Sequence, residues 1–446
     1  MPVSVHVNQI NESGFRVILH PILAEQLGIH YWIYSILRFG LKAVEIEIQI
    51  SKEVREDSII LTADIVEELS LPLDCSFEIK KSEEELHLGP FIGILAAAKD
   101  VELNKRFKGL SNYVRKYDQI KGAIFAFSFE SINKQEMIMK GYLYHPRENI
   151  WVEKTTKSYP ASLYINARLN KKDREYLKSI YGSKLFNYKI LNKWEIHQIL
   201  FAFPEVKVYL PETYLYENPN QVLRLLEKHK SIYIKPLSSF GGMGVRKLTK
   251  TAHSFLLEYR EAMENIKVDM EEESLKDYFI SSLEPEKYLI QQGLNIEYMD
   301  KRVCDFRVAL NKDQNGKWKV SGIAARIGNK ESVVSNFSSG GSVTSFEKVL
   351  LNHFQLEDRK ISEMKEKVMA LSIKIINCLE KSGQRFGKLA IDLAIDKELR
   401  LWMIELNNRS PNDFLFAYAG DIETTYEMKL DNMLYAKGLA GFHSDN

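Results

Sequence analysis

Three oxygen-bearing side chains, Asp392, Glu405 and Asn407, fall within the 388–408 stretch KLAIDLAIDKELRLWMIELNN. Its alternation has the period of two strands joined by a tight turn. With Lys397-Glu398 as a two-residue loop, Asp396 faces Leu399 and Asp392 faces Met403. Side chains alternate across a strand, so Met403, Glu405 and Asn407 share the face of Asp392. Ile391, Leu393, Ile404 and Leu406 point the other way, into a core. Asp, Glu and Asn are depleted from strands, so their coincident register argues against an incidental wet face. Carboxylate and amide oxygens are hard ligands suited to Mg²⁺ rather than zinc, and metals held this way neutralise phosphate charge.

A second constellation runs SIYIKPLSSFGGMGVRKL over 231–248, read as strand, glycine-rich loop, strand. Gly241, Gly242 and Gly244, with Met243 among them, let the backbone approach a ligand and turn several N–H groups on one anion. Lys235 would add a point charge to the phosphates. No G-K-[ST] follows the glycines and no helix opens there, so the loop is not a Walker P-loop but is expected to fold over a nucleotide as a flap. Taken by itself, the segment reads equally as a glycine-rich hairpin with a surface lysine.

Between these motifs, Val303–Leu310 and Trp318–Arg326 flank Asn315-Gly316 as a hairpin. Asp305 and Arg307 share a face of it, and Arg326 lies near the end of the returning strand. Asn336 follows in the polar loop SNFSSGGS. Arginines beside phosphates stabilise the charge on a transferring phosphoryl group, whereas the bland alternative is a surface Asp–Arg pair. Upstream, Tyr288–Leu294 reads as a strand entering a turn, where backbone groups of Gln291, Gln292, Gly293 and Leu294 could meet a purine edge.

These groups need elements to hold them, and 446 residues exceed one ordinary core. Residues 1–88 are expected to form a β-rich, barrel-like module, with Val44–Ile50 alternating as a half-wet strand. Apolar runs at Leu88–Leu95, Gly122–Phe129 and Ser162–Ala167, the first two separated by helical sequence, suggest an α/β layer domain over 89–186. No G-x-G-x-x-G follows its first strand, so a dinucleotide site is not expected. Residues 187–446 carry the chemistry. There Asn192 and Glu195 form a capping-box pattern opening a helix, and Ile361, Met364, Val368, Leu371, Ile375 and Leu379 mark a buried helix face closed by Gly383.

Lys+Arg 61 against Asp+Glu 60 gives no bulk field for nucleic acid or an acidic membrane. No run approaches the roughly 18 apolar residues of a membrane span. Three scattered cysteines signal neither a disulfide framework nor a zinc cluster, and the N-terminus lacks a signal-peptide pattern. A cytoplasmic setting is the expectation.

In order and spacing, Lys235 with the 241–244 loop, the 290–294 segment, Arg307, Arg326, Asn336, Asp392, Glu405 and Asn407 resemble the ATP-grasp superfamily. KP-x₃-F-G-G-M-G, DFRV, SNFSSGG and ELNNRSPN resemble its YheC/YheD-type, endospore coat-associated branch, as do LGPFIGIL and the Lys-Trp-Glu helix before the ATP subdomains. The resemblance implies two α+β subdomains sandwiching ATP, preceded by a small α/β pre-ATP-grasp domain and the N-terminal β-rich module. It implies that Lys235 and Lys193 contact phosphates, that 291–294 contact adenine, and that Asp392, Glu405 and Asn407 carry Mg²⁺. It sets Arg307 and Arg326 at the γ-phosphate and acyl phosphate and counts Asn336 with them as catalytic. Where the family's hinge often has an acidic residue, this chain has Gln291-Gln292. The implied activity is an ATP-dependent carboxylate–amine (or thiol) ligase working through an acyl phosphate. Two alternatives stand beside it: phosphotransfer without ligation, and a structural protein of the spore coat that binds coat partners.

Overall fold

A computed structural model describes residues 2–29, 34–239, 241–261, 264–298, 302–330, 332, 335, 340–408 and 411–443. The chain divides into two compact units: 1–189 with 311–318 and 426–446, and 190–310 with 319–425.

In the first unit, seven strands close into a barrel in the order Val3–Ile10, Ser58–Thr62, Arg16–Leu19, Lys42–Ile50, Tyr34–Phe39, Glu85–Gly89, Phe77–Ser82. The alternation read at 44–50 appears as buried Ile46 and Ile48 between exposed Glu45, Glu47 and Gln49. Closure pairs Val3–Ile10 with Phe77–Ser82, so the described strands form a ring in place of an open sheet with two edges. Phe91–Ala97, a wholly buried strand, then pairs in parallel with Ala123–Ser128 on one side and Ser162–Ile165 on the other. Parallel strands covered on both faces must be apolar throughout, which is why these segments read as unbroken hydrophobic runs. Residues 426–446, which the sequence reading grouped with 187–446, pack with this unit: Leu430, Met433 and Ala436 join the core beside Ile92 and Ile94.

The second unit holds two sheets. One is antiparallel, ordered Thr213–Leu215, Tyr288–Gln292, Ser231–Pro236, Arg246–Lys250, Phe255–Glu261, Glu264–Met270. Helices Pro219–His229 and Glu272–Ser282 cover it, setting Val222, Leu226, Leu275 and Phe279 against Ile232, Ile234, Leu248 and Ile290. The other sheet runs Ser342–Ser345, Trp318–Ile327, Arg302–Lys312, Lys388–Ile395, Leu401–Asn407. Helix Asp358–Lys381 buries the stripe read from its sequence, Ile361 to Leu379, and Gly383 follows at φ 82°. Among the described residues no helix is long and apolar enough to cross a membrane.

Candidate active site

The acid-bearing hairpin is paired otherwise than a two-residue loop requires. Its turn spans Lys397–Arg400, with Leu399 at φ 59°, and Asp396 caps it by accepting from the N–H groups of Glu398 and Arg400. Ile395 therefore faces Leu401, and an irregularity between Asp392 and Leu393 sets Asp392 directly opposite Glu405, not Met403. Beside the turn the register is one residue beyond that of a two-residue loop, and the irregularity adds a second. Asp392, Glu405 and Asn407 therefore still share a face, while Met403, expected on it, lies opposite Leu393 and is buried. The Nδ2 of Asn407 donates to Oδ2 of Asp392 at 3.2 Å, joining two of the three.

Asp392 is 3% exposed and lies between two arginines. Arg307 grips it bidentately, Nε on Oδ1 and Nη2 on Oδ2, and Arg326 Nη2 approaches Oδ2 at 2.8 Å. Arg326 also holds Asp305 with Nε at 2.7 Å and Nη2 at 2.6 Å, and Asp305 accepts from Ser335 Oγ at 2.7 Å. The surface Asp–Arg pair entertained from sequence is thus a buried network, with Asp305 bonded to Arg326 rather than to its neighbour on the same face. Burial alone would raise the pKa of Asp392; Arg307 and Arg326 overcome it and hold the carboxyl down to about 2. Burial pulls Arg326 down, but Asp305 and Asp392 outweigh it and keep the guanidinium above its ordinary range. At 4% exposure Arg326 braces two carboxylates, whereas Arg307, half-buried, lies nearer the surface of the site.

Lys193 reaches this face from the neighbouring helix. Asn192 caps helix Lys193–Phe201 by accepting from the N–H groups of Trp194 and Glu195, and Glu195 returns a bond to the Asn192 N–H, the capping box read from sequence. Lys193 Nζ lies 3.4 Å from Glu405 and donates to the Ser239 carbonyl at 3.0 Å, joining the acidic strand to the glycine loop. The start of that helix is held by the Lys193 N–H on the Leu237 carbonyl at 3.2 Å and by Asn408, a residue with no expected role. Its amide accepts from the Leu191 N–H and donates to the Leu191 C=O, mimicking a strand pairing two residues before Lys193. An Asn beside two acidic-face residues gives no periodic signal, so only the tertiary approach of Leu191 reveals it.

The loop glycines take the backbone they were read for: Gly241, Gly242 and Gly244 have φ of 66°, 77° and 72°. A Cβ on Gly244 would come within 2.9 Å of Pro236 Cγ, so the loop's return across the strand end requires glycine. Met243 is exposed at the tip. Lys235 is half-buried, and burial pushes its ammonium down to about 8, against the opposing pull of Glu405. In the hinge segment the side chains have partners of their own. Gln291 accepts from Lys235 Nζ at 2.5 Å, and the Gln292 side chain accepts from the Glu212 N–H at 3.2 Å. Gly293 packs so closely on Ser231 that a Cβ would meet its Oγ at 2.1 Å. Both glutamine side chains are thus engaged within the protein, the N–H groups of Gln292 and Gly293 donate to the Glu212 and Ser231 carbonyls, and Leu294 is half-buried. Asn336 lies outside the described residues.

The oxygen donors fit a hard divalent cation. Asp392 is held ionised, as a metal ligand must be, and Asn407, with Nδ2 on Asp392, keeps its carbonyl oxygen for another partner. Two acids with an amide suit Mg²⁺, which binds through few protein oxygens and keeps phosphate or water for the rest. Among the described residues no set of three His, Cys, Asp or Glu forms a metal cluster, and both oxygens of Asp392 are engaged by Arg307, Arg326 and Asn407.

The family model for YheC/D-like ATP-grasp proteins matches residues 182–439. The chain belongs to that family. It is 29% identical over 395 residues to endospore coat-associated protein YheD of Bacillus subtilis (strain 168), covering 85% of each chain. It is 23% identical over 292 residues to endospore coat-associated protein YheC of the same organism, covering 65% of this chain and 76% of that one. Among solved structures, the VanG D-Ala:D-Ser ligase from Enterococcus faecalis aligns with a TM-score of 0.43 and 9% identity, over 79% of this chain and 98% of that one. The ATP-grasp fold accounts for the second unit's paired sheets, with Lys235 on one and Asp392 and Glu405 on the other.

Proposed function

We propose that the protein binds Mg–ATP in its second unit and uses the γ-phosphate to activate a carboxylate for attack by an amine or thiol. The observation that carries this reading is the convergence of Lys193 on Glu405 and of Arg307 and Arg326 on Asp392, with Lys235 close enough to feel Glu405 and Asp392. Lys193 and Lys235 would meet phosphate oxygens, and the Gly241–Gly244 loop would lay its N–H groups over them. Asp392, Glu405 and Asn407 would hold magnesium, which draws charge from the β- and γ-phosphates when bound. Arg307 would face the transferring phosphoryl group, while Arg326 acts through the two carboxylates it braces. Asn336 is assigned to the same phosphoryl group.

The carboxylate oxygen attacks the γ-phosphorus and the bond to ADP breaks. The amine or thiol then attacks the acyl carbon and inorganic phosphate leaves. Closure of the glycine loop would keep water from the acyl phosphate. The names of the two relatives favour a second reading, in which the protein serves coat assembly without turnover.

Calorimetric titration of Mg–ATP into the parent, Lys235→Ala and Asp392→Ala tests the first. Binding by the parent and its loss in both variants is expected, followed by ADP release that depends on an added acid. No binding at millimolar Mg–ATP would leave the assembly reading, which predicts normal localisation of an Asp392→Ala, Glu405→Ala double variant.

A further inference from the structure

Gln291 sits at the position where an adenine contact was expected, yet the residue is 8% exposed and its side chain bonds Lys235 and Thr213. Thr213 and Tyr233 are its register partners on the two flanking strands, and Lys235 is the diagonal neighbour beyond Tyr233. The hydrogen bonds have one consistent polarity. Thr213 Oγ1 gives its proton to the Pro211 carbonyl at 2.8 Å, so toward Gln291 it can only accept. Gln291 Nε2 donates to it at 3.2 Å, which fixes the amide orientation and leaves Oε1 to accept from Lys235 Nζ at 2.5 Å.

We infer that Gln291 is a positioning residue, which with Thr213 aims the Lys235 ammonium at the nucleotide phosphates while its own side chain makes no contact with the base. The inference rests on the reading that Lys235 meets phosphate. A neutral acceptor suits the role. A carboxylate at 291 would pair with the ammonium and offset the charge needed by the ligand, whereas an amide holds the lysine and leaves its charge intact. The other charged groups that bear on Lys235 are Glu405, Lys193, Asp305 and Asp392, none on its own strand. The Tyr233 ring lies under the ammonium at 5.5 Å, and the amide at 291 is the neutral hydrogen-bond acceptor that tethers it.

The test uses the full chain with Gln291→Met, Gln291→Glu and Lys235→Met, titrated separately with Mg–ATP and with adenosine. Gln291→Met and Gln291→Glu should each weaken Mg–ATP binding about ten- to a hundredfold while adenosine affinity stays unchanged. Adding Gln291→Met to Lys235→Met should weaken Mg–ATP no further. A parallel loss of adenosine and Mg–ATP would mean that Gln291 contacts the purine, and multiplicative losses in the double variant would separate it from Lys235; either overturns the inference. If the parent binds neither ligand, the ATP reading fails by itself. The tether is then judged on the nucleotide-free protein: a slowly exchanging Lys235 Nζ–H resonance in the parent, absent in Gln291→Met and weakened in Thr213→Val, sustains it. The same resonance undisturbed in Gln291→Met overturns it.

Discussion

Replacing Asp392 by asparagine keeps the shape of the side chain and removes the charge that joins Arg307 to Arg326. The carboxyl titrates at about 2 in the fold, against about 3.9 in an unfolded chain, a difference of roughly two units. At about 1.4 kcal/mol per unit, ionisation of Asp392 contributes on the order of 2–3 kcal/mol to stability at neutral pH. Because the folded pKa is depressed, this contribution is complete above about pH 4 and is lost as pH falls through about 2. Urea unfolding followed by tryptophan fluorescence reads it. Trp402 lies on the strand paired with that of Asp392, and its indole is tied to Asp396 at 2.8 Å. At pH 7 Asp392→Asn should be less stable than the parent by about 2–3 kcal/mol, and the gap should shrink steadily between pH 4 and 2. A gap that is absent at pH 7 would refute the claim that the arginines overcome the cost of burial. A gap of equal size at pH 2 would assign the loss to packing instead of charge.

Asn408→Ala removes both bonds to the main chain of buried Leu191. A loss of about 2–4 kcal/mol in urea unfolding is expected, together with at least roughly tenfold weaker Mg–ATP binding as Lys193 loses its anchor. Lys235, pushed down to about 8 by burial, should lose its charge as pH rises through that value. Calorimetry should therefore show Mg–ATP affinity falling between pH 7 and 9 in the parent, and a flatter profile in Lys235→Met.

Where local chemistry decided the structure, the residues were legible in order along the chain. The capping box at Asn192 and Glu195 needs only three residues, and the stripe from Ile361 to Leu379 needs only the helical period. The three left-handed glycines of the loop follow from steric demands within four positions. The shared face of Glu405 and Asn407 follows from strand alternation, but Asp392 stays on that face only because the irregularity beside it adds a second residue to a register already one off. Pairing itself was not local. It depended on Asp396 folding its side chain over the turn and on the irregularity beside Asp392, and neither leaves a periodic trace.

Partner choice was further still from the sequence. Arg307 and Asp305 are two residues apart and share a face, which suggested that they pair with each other. In the fold Arg307 reaches Asp392, 85 positions away, and Asp305 takes Arg326. Gln291 followed the same rule, turning to Lys235 and Thr213 in place of an adenine. Sequence determined which residues could bear charge and which way a strand would present them. Tertiary structure decided which opposite charge each would meet, because an ion pair in a buried site is set by the approach of separate strands and not by distance along the chain.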